Sequence, residues 1–439
     1  MSGTLLAIVM FALMLVLMAV RVPVALAMFL VGSAGYLSIM GLAPYLSYLK
    51  STPYFLLSNY SLSVIPLFIL MGALAEQSGI SRSLFTAANA LIGHRRGGVA
   101  MATIGACTLF GAICGSSVAT TATMGRVALP EMLRLGYAPG FATGTLAVGG
   151  TLGILIPPSV VLVVYAITTE QNIAKLFMAA LIPGLLASLF YQCTIVYLVR
   201  RNPEKAPAGP RSTGGERRTA VMQVWPAVVI AMAVVGGIYG GIFTPTEGAA
   251  VGVAATLAVA LTQGRMGWPA LRTSLVQTAE TSAMIFAILL GADVFNAFLA
   301  LSKMPETVAE AIVATGLPPY AIVSCLMLFY ILLGSVMDEL AMILLTLPVF
   351  FPVVMALDFG LPPEETAIWF GILVLIVVGI GLTAPPVGLN VFVISGIARD
   401  VPMADTYRAV LPYLATDVTR LFLVVVFPSL ALEFVRFLT

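Results

Sequence analysis

The sequence predicts an all-α polytopic membrane protein made of an inverted-topology repeat, with two re-entrant helical hairpins and two broken transmembrane helices. Three observations predict this fold class: the composition, an ordered set of matches between the two halves, and Gly/Pro-rich interruptions at equivalent points of both. Of the 439 residues, 60% are hydrophobic and only 9% are charged, whereas soluble domains carry roughly 25% charged residues. Soluble enzymes, nucleic-acid-binding proteins and secreted disulfide scaffolds are therefore excluded, and the lipid bilayer is the expected surrounding.

Long apolar runs follow one another along the chain, and each is predicted to be helical because backbone groups in lipid must be bonded internally. They lie near residues 4–20, 23–46, 62–75, 98–130, 140–168, 173–199, 222–243, 246–263, 279–301, 319–357, 366–398 and 412–438. The runs 98–130 and 319–357 are too long for one crossing, and a short polar stretch with glycine interrupts the middle of each. We interpret both as re-entrant helical hairpins.

A polar, basic segment divides the chain into two halves. Residues 200–219 read RRNPEKAPAGPRSTGGERRT, and basic loops stay on the cytoplasmic side of a membrane. This segment predicts a cytoplasmic linker over 202–221, between a first repeat over 1–201 and a second repeat over 222–439. With both hairpins counted as non-crossing, most other basic residues also fall inside. The layout predicts five crossings per half and periplasmic N- and C-termini.

The two halves share matches that occur in the same order. Residues 69–73 read ILMGA and residues 288–292 read ILLGA, while the Gly-Ser pair at 115 and the Gly-Ser pair at 334 recur at the same offset. An odd number of crossings per half turns the second copy upside down, so the first hairpin enters from the cytoplasm and the second from outside. This arrangement is typical of secondary transporters, which place substrate near the midplane between the repeats.

The first hairpin tip, residues 115–123, reads GSSVATTAT. Hydroxyls and the carbonyls freed at a helix break are the hard oxygen ligands that a dehydrated alkali cation needs. An alternative is that these hydroxyls bond back to their own helix or join neighbouring spans. Their clustering beside glycine in the middle of an over-long run favours a functional tip.

The second tip, residues 334–340, reads GSVMDEL. An ionisable residue at membrane depth is a functional-site hypothesis by default. Asp338 has three open roles: it holds a cation, binds a proton, or caps the following half-helix, whose dipole favours an anion. Glu339 is the next residue around the helix, and the sequence is equally consistent with its side chain facing away from that of Asp338.

Each hairpin is followed by a span with a similar break: residues 149–159 read GGTLGILIPPS and residues 379–390 read GIGLTAPPVGLN. Proline removes a donor and frees a carbonyl, while glycine permits an unwound backbone. Such unwinding is tolerated only where the backbone lines a cavity or is buried in protein. We therefore predict broken spans over 140–168 and 366–398.

Pairing each tip with the break of its own repeat predicts two pseudo-symmetric cation sites, with an anionic substrate between them. Thr120, Thr383 and Asn390 offer polar groups to that substrate. Arg126, on the second limb of the first hairpin, either pairs with a substrate carboxylate or extends to the cytoplasmic interface.

The motifs GSSVATTA, LGILIPPS, FTPTEGAAVG, GSVMDELA and LTAPPVGLN together resemble the large membrane subunit of tripartite ATP-independent periplasmic (TRAP) transporters, over essentially the whole chain. The resemblance implies a sodium-driven importer of the bacterial inner membrane, with an elevator motion. It implies Na⁺ as the coupling ion with no organic cofactor, and a carboxylate substrate such as a C4-dicarboxylate or sialic acid. It also implies two partners, a separate small four-helix membrane subunit and a soluble periplasmic binding protein.

The resemblance further implies a set of site residues. The first sodium site would comprise Gly115, Ser116, Ser117, Gly150, Gly153 and Pro157. The second sodium site would comprise Gly334, Asp338, Gly379, Thr383 and Pro386. Substrate would meet Thr120, Ser159, Asn390 and Arg126.

Three other functions are less consistent with the sequence. A stand-alone sodium/carboxylate symporter without a binding protein is the main alternative. A membrane-embedded enzyme is disfavoured because the chain has no HExxH or GxSxG motif, and a passive channel because two broken-span repeats indicate alternating access. We therefore predict a transporter and no enzymatic activity.

Overall fold

The computed structural model describes residues 3–438, which form α-helices with short 3-10 and π segments and, over that range, no strand. In the first half the α-helices are Gly3–Ala19, Val24–Met40, Leu42–Leu57, Val64–Ser78, Ile80–Ile92, Gly98–Cys114, Ser117–Arg134, Pro139–Leu155, Val160–Thr168 and Ile173–Arg201. In the second half they are Gly214–Met222, Trp225–Ala231, Gly237–Tyr239, Pro245–Thr262, Trp268–Ser302, Met304–Ala314, Pro319–Gly334, Glu339–Met355, Pro363–Gly381, Leu389–Ile397, Met403–Val426 and Ser429–Leu438. The prediction for the chain ends concerns residues 1, 2 and 439, which lie outside this range.

By length and composition, 7 of the described helices could cross a membrane, or up to 8 if a bent helix pair counts as one span. The all-helical, apolar architecture is thus confirmed, while the number and direction of crossings stay predictions. The helix that begins at Gly214 starts inside the predicted linker and continues through a π segment, Met232–Gly236, toward Tyr239.

Two predicted runs are each divided into two helices. The run 23–46 breaks at Gly41, whose φ of +80° lies in the left-handed region that favours glycine. The run 412–438 breaks between Val426 and Ser429, where Pro428 has no N–H to continue the helix. The run 279–301, in contrast, belongs to a longer helix, Trp268–Ser302.

Both over-long runs fold as antiparallel helix pairs. The first hairpin consists of Gly98–Cys114 and Ser117–Arg134, whose limbs meet where the Thr103 hydroxyl lies 3.8 Å from the Met132 sulfur. The second hairpin consists of Pro319–Gly334 and Glu339–Met355, whose limbs meet where the Thr346 hydroxyl donates to the Tyr330 oxygen at 2.8 Å. Residues 115–116 and 335–338 connect the two limbs within the first and second tips.

Two broken helices form the centre of the protein. The first consists of Pro139–Leu155 and Val160–Thr168, bent by 43°. The second consists of Pro363–Gly381 and Leu389–Ile397. Every residue of 141–155 and of 366–381 is buried, although these segments carry the glycines that weaken a helix. Their burial is consistent with irregular backbone being tolerated where protein surrounds it.

The remaining long helices pack across the two halves. Val24–Met40 packs against Trp268–Ser302, and Pro245–Thr262 packs against Val64–Ser78. In each half, one helix therefore packs against a helix of the other half. The first contact is close because a β-carbon on Gly32 would lie 2.7 Å from the Phe295 backbone. Ile173–Arg201 and Met403–Val426 both pack against the first broken helix.

Candidate cation and substrate site

The tip of the first hairpin touches the first broken helix through bare backbone. Gly115 ends one limb with φ +64°, and Ser116 caps the next limb by accepting the Ala119 N–H at 3.4 Å. A β-carbon on Gly153 would lie 2.4 Å from both the Ser116 carbonyl oxygen and the Thr120 hydroxyl. Only glycine fits at this position, so the sequence brings the predicted residues Ser116 and Gly153 together.

Asn390 enters this tip from the other half of the chain. Its Nδ2 donates to the Ser117 hydroxyl at 2.7 Å and to the Ala147 carbonyl at 3.1 Å. A β-carbon on Gly150 would lie 1.7 Å from the Thr121 hydroxyl and 3.1 Å from Asn390 Nδ2. A residue of the second broken helix therefore contacts the first tip, so this assembly is not built from one half of the chain alone.

Residues at the break of the first broken helix lie against the same tip. A β-carbon on Gly115 would lie 2.8 Å from the Pro158 carbonyl oxygen. Ser159 caps the second segment by accepting the Leu162 N–H at 3.4 Å. The Pro157–Pro158 peptide is cis, as is Pro385–Pro386 in the second broken helix.

These groups fit an alkali cation better than a transition metal. Among residues 3–438 no cluster of three or more His, Cys, Asp or Glu side chains is suited to a metal ion, whereas hydroxyl and carbonyl oxygens converge at the first tip. The alternative role of these hydroxyls is also observed: Thr120 and Thr121 bond back to the carbonyls of Ser116 and Ser117, at 2.7 and 3.0 Å. Ligation would use the remaining lone pairs of those oxygens.

At the second tip the predicted residues are less closely assembled. Asp338 caps its helix, accepting the N–H groups of Leu340 at 3.1 Å and Ala341 at 3.4 Å. This is the capping role that the sequence left open, and the described contacts do not join the Asp338 carboxylate to Thr383 or Pro386. Its role as a cation ligand stays a prediction.

The second tip nevertheless meets the second broken helix through backbone. A β-carbon on Gly381 would lie 2.6 Å from the Gly334 carbonyl carbon. The Ser335 carbonyl accepts the N–H groups of Val387 and Gly388, both at 3.2 Å.

The other predicted members of the second site occupy different surroundings. The buried Thr383 hydroxyl bonds back to its own helix, at 3.1 Å from the Ile380 carbonyl and 3.5 Å from that of Gly379. Pro386 is exposed, and its carbonyl accepts the Tyr407 hydroxyl at 3.0 Å.

Both tips face one cavity of about 400 Å³. The first tip contributes Gly115 and Ser116, and the second contributes Asp338 and Glu339. Helices outside the hairpins and broken helices contribute the polar residues Glu76, Gln277 and Thr281.

Arg126 is the one predicted substrate residue that lines this cavity. Its guanidinium pairs with the Glu76 carboxylate at 3.2 Å, with 64% of the Arg126 side chain and 12% of the Glu76 side chain exposed. Thr120, Ser159 and Asn390 are fully buried at 0% exposure and bond to protein groups instead.

A second cavity of about 340 Å³ shares Glu76 and Arg126 with the first and adds Arg82 and Arg265. Three guanidinium groups and the Glu76 carboxylate therefore line this second cavity. Its excess of positive charge attracts anions.

Sequence reasoning missed two acidic residues of the cavity. The sequence did not determine which way the Glu339 side chain points. In the structure it lines the cavity, and its Oε2 is buried with no hydrogen-bond partner. Its sequence signal is its place beside Asp338 in the second tip, and only the packing of that tip places its side chain at the cavity. Glu76 had no local signal, because its pairing with Arg126 joins segments far apart in the sequence.

Known proteins resemble the chain over most of its length. A family model described as "Tripartite ATP-independent periplasmic transporter, DctM component" matches residues 11–430. The C4-dicarboxylate TRAP transporter large permease protein DctM of Pseudomonas aeruginosa is 38% identical over 375 residues, which are 85% of this chain and 86% of that protein. The sialic acid TRAP transporter large permease protein SiaM of Vibrio cholerae is 29% identical over 381 residues, which are 86% of each.

A solved structure shares the fold. The YdaH transporter of Alcanivorax borkumensis, whose crystal structure is described as having an unusual topology, aligns with a TM-score of 0.63. The alignment covers 97% of this chain and 98% of that one, at 16% sequence identity. At this identity the likeness shows the fold alone.

Proposed function

Because the chain belongs to the DctM family of tripartite ATP-independent periplasmic transporters, we propose that it takes up an organic carboxylate, driven by a sodium gradient. Family membership confirms the resemblance found in the sequence and makes the chain a multi-pass membrane transporter component, not an enzyme. C4-dicarboxylates are the first substrates to test, because the Pseudomonas aeruginosa relative is named for them. Sialic acid is the second, after the Vibrio cholerae relative.

The cavity between the two hairpin tips is the observation that carries this proposal. It brings Ser116, Asp338 and Glu339 from opposite halves of the chain to one space, and Arg126 supplies a cation at its edge. A small organic acid fits a cavity of about 400 Å³, which lies within the usual range of roughly 300–1,000 Å³ for ligand sites. Arg126 would orient a carboxylate through its planar pair of donors.

Sodium coupling is supported by the oxygen-rich contact between the first tip and the first broken helix. Ser116, Ser117 and Gly150 with Gly153 would hold one ion, and Asp338 with Thr383 a second. Bound sodium would supply positive charge close to the tips, where it favours an anionic substrate. The protein's part is to present dehydrated oxygen ligands from a backbone that glycine keeps bare.

An inverted repeat with an elevator motion accounts for the architecture. The hairpins and broken helices would move as one body against the remaining long helices, with the hairpins entering from opposite sides. The exchanged packing of Val24–Met40 and Pro245–Thr262 across the halves supports this symmetry. The ion pair between Arg126 and Glu76 would then join the moving body to the static one.

The tripartite family description supports two partners in the bacterial inner membrane and periplasm. We infer a small four-helix membrane subunit and a soluble binding protein that delivers the substrate. The alternative is a stand-alone symporter that needs no binding protein.

Reconstitution separates these two readings. The chain is reconstituted with its small subunit, and uptake of radiolabelled succinate or sialic acid is followed under an inward sodium gradient, with and without the co-encoded soluble receptor. Uptake that needs the receptor supports the tripartite transporter. Equal uptake without it would identify a stand-alone symporter.

A further inference from the structure

A charged pair is buried away from the tips and has no part in the site described above. Asp417 and Arg420 lie on Met403–Val426 with side chains 2% and 1% exposed, and the guanidinium donates to the carboxylate at 2.8 Å. Arg420 also approaches the Pro183 carbonyl at 3.4 Å. A buried ion pair is often no more stable than well-packed apolar side chains, so this pair calls for an explanation other than stability.

The pair is connected to the first broken helix by hydroxyls. Tyr191 donates to the second Asp417 oxygen at 2.7 Å, and the Thr151 hydroxyl lies 3.1 Å from the Tyr191 oxygen. An ionised carboxylate only accepts hydrogen bonds, so the Tyr191 proton points to Asp417 and its oxygen accepts from Thr151. The single Thr151 proton is shared between the Tyr191 oxygen and the Val148 carbonyl, which lies 2.7 Å away. The ion pair thereby gives the chain of hydroxyls one direction, ending at Thr151.

Thr151 lies at the point where the two broken helices and the first tip meet. Its neighbours Gly150 and Gly153 touch the first hairpin so closely that a β-carbon on either would collide with it. A β-carbon on Gly379, in the second broken helix, would lie 3.8 Å from Thr151 Cβ. A small rotation of the first broken helix at Thr151 would therefore disturb the contacts of both predicted sodium sites.

We propose that Asp417, Arg420 and Tyr191 are positioning residues, which act through Thr151 to hold the first broken helix in the rotation that sodium binding requires. This inference rests on the proposed sodium coupling. The tip contacts lie on one face of the helix and the Thr151–Tyr191 bond lies on another, so the helix is held from two directions. The Thr151–Tyr191 contact is a directional hydrogen bond, which restricts rotation of the helix more than apolar packing does.

The chain offers a matched control on the same helices. The Tyr413 hydroxyl lies 3.1 Å from the Thr145 hydroxyl, and the rings of Tyr191 and Tyr413 pack against each other with centroids 5.8 Å apart. Tyr413 is as buried as Tyr191, but its partner lies farther along the helix from the glycines. Tyr413→Phe removes one buried hydrogen bond, to Thr145, whereas Tyr191→Phe removes two, to Asp417 and Thr151. Only Tyr191→Phe acts at Thr151.

The test compares Tyr191→Phe with Tyr413→Phe in the complex reconstituted with its small subunit and supplied with the soluble receptor. Both the half-saturating sodium concentration for uptake and the sodium dependence of the melting temperature are measured, with potassium keeping ionic strength constant. We expect Tyr191→Phe to raise the half-saturating sodium concentration roughly fivefold, the effect of about one hydrogen bond. Tyr413→Phe should leave the half-saturating sodium concentration unchanged while it lowers the melting temperature.

A second pair of variants guards against a Tyr191→Phe protein that fails to fold. Thr151→Val removes the hydroxyl at nearly constant volume and should raise the half-saturating sodium concentration, whereas Thr151→Ser keeps the hydroxyl and should preserve it. Equal sodium responses in Tyr191→Phe and Tyr413→Phe, or in Thr151→Val and Thr151→Ser, would overturn the positioning role and leave the proposed function intact. A wild-type protein without any sodium response would overturn both.

Discussion

Gly153 lies so close to Ser116 that a β-carbon on it would stand 2.4 Å from the Ser116 carbonyl oxygen. The contact joins the first broken helix to the tip of the first hairpin without any intervening side chain. It places backbone carbonyls and hydroxyls at a junction beside the cavity, which is the type of ligand set that an alkali cation requires.

Gly153→Ala should abolish sodium-dependent uptake and destabilise the protein by about 1–3 kcal/mol, because the added methyl overlaps backbone that has no room to shift. Gly105→Ala is the matched control. Gly105 lies in a limb of the hairpin that Gly153 contacts, and a β-carbon on Gly105 would meet nothing within 4 Å. Uptake and melting temperature of both variants are compared with wild type. A Gly153→Ala protein with normal uptake would contradict the tight junction.

Asn390→Leu should lower the free energy of unfolding by about 1–3 kcal/mol, because it leaves the Ser117 hydroxyl without its amide partner in a buried site. Thermal unfolding of Asn390→Leu, Ser117→Ala and the double variant forms a cycle. We expect the double variant to lose less than the sum of the two single losses, because both changes remove the same bond. Strict additivity would mean that the two residues do not interact.

Asp338→Asn separates the charge of this residue from its role as a helix cap. Asparagine caps helices about as well as aspartate, whereas Asp338→Ala also loses a cap worth about 1 kcal/mol. We expect both variants to lose sodium-driven uptake and only Asp338→Ala to lose stability. Full uptake by Asp338→Asn, with an unchanged sodium dependence, would remove the carboxylate from the second site.

Arg126→Gln should raise the substrate concentration needed for half-maximal uptake by about tenfold or more, because a charge-assisted pair with a carboxylate is worth roughly 1.5–3 kcal/mol. The control is Arg134→Gln on the same limb, whose partner Glu131 lies at 2.6 Å in an exposed i,i+3 pair. Exposed pairs of this kind contribute little. Equal kinetics in the two variants would restrict Arg126 to an interfacial role.

Local signals explain why much of the site could be predicted from the sequence. Glycine, proline and clustered hydroxyls mark the tips and the breaks. One helix ends at Cys114, directly before the first tip motif, and another ends at Leu155, within the first break motif. The extension of the run 279–301 back to Trp268 as one helix and the break at Gly41 were not predicted, because apolar content alone does not mark where a helix starts or bends.

Contacts between distant segments could not be predicted. Asn390 bonds to Ser117 across the two halves, and Glu76 pairs with Arg126 from a helix outside the hairpin. Neither pairing has a sequence periodicity. The buried pair of Asp417 and Arg420 did have a signal, since two charges lie within an apolar run, but their partner Tyr191 is defined only by packing.

The most direct test of sodium coupling is uptake into proteoliposomes that hold the chain with its small subunit, in the presence of the soluble receptor and a radiolabelled C4-dicarboxylate. An inward sodium gradient is compared with an equal potassium gradient, and Gly153→Ala is measured alongside wild type. We expect substrate accumulation in wild type with sodium only, and none in Gly153→Ala. Equal accumulation with potassium would contradict sodium coupling at the junction of Ser116 and Gly153.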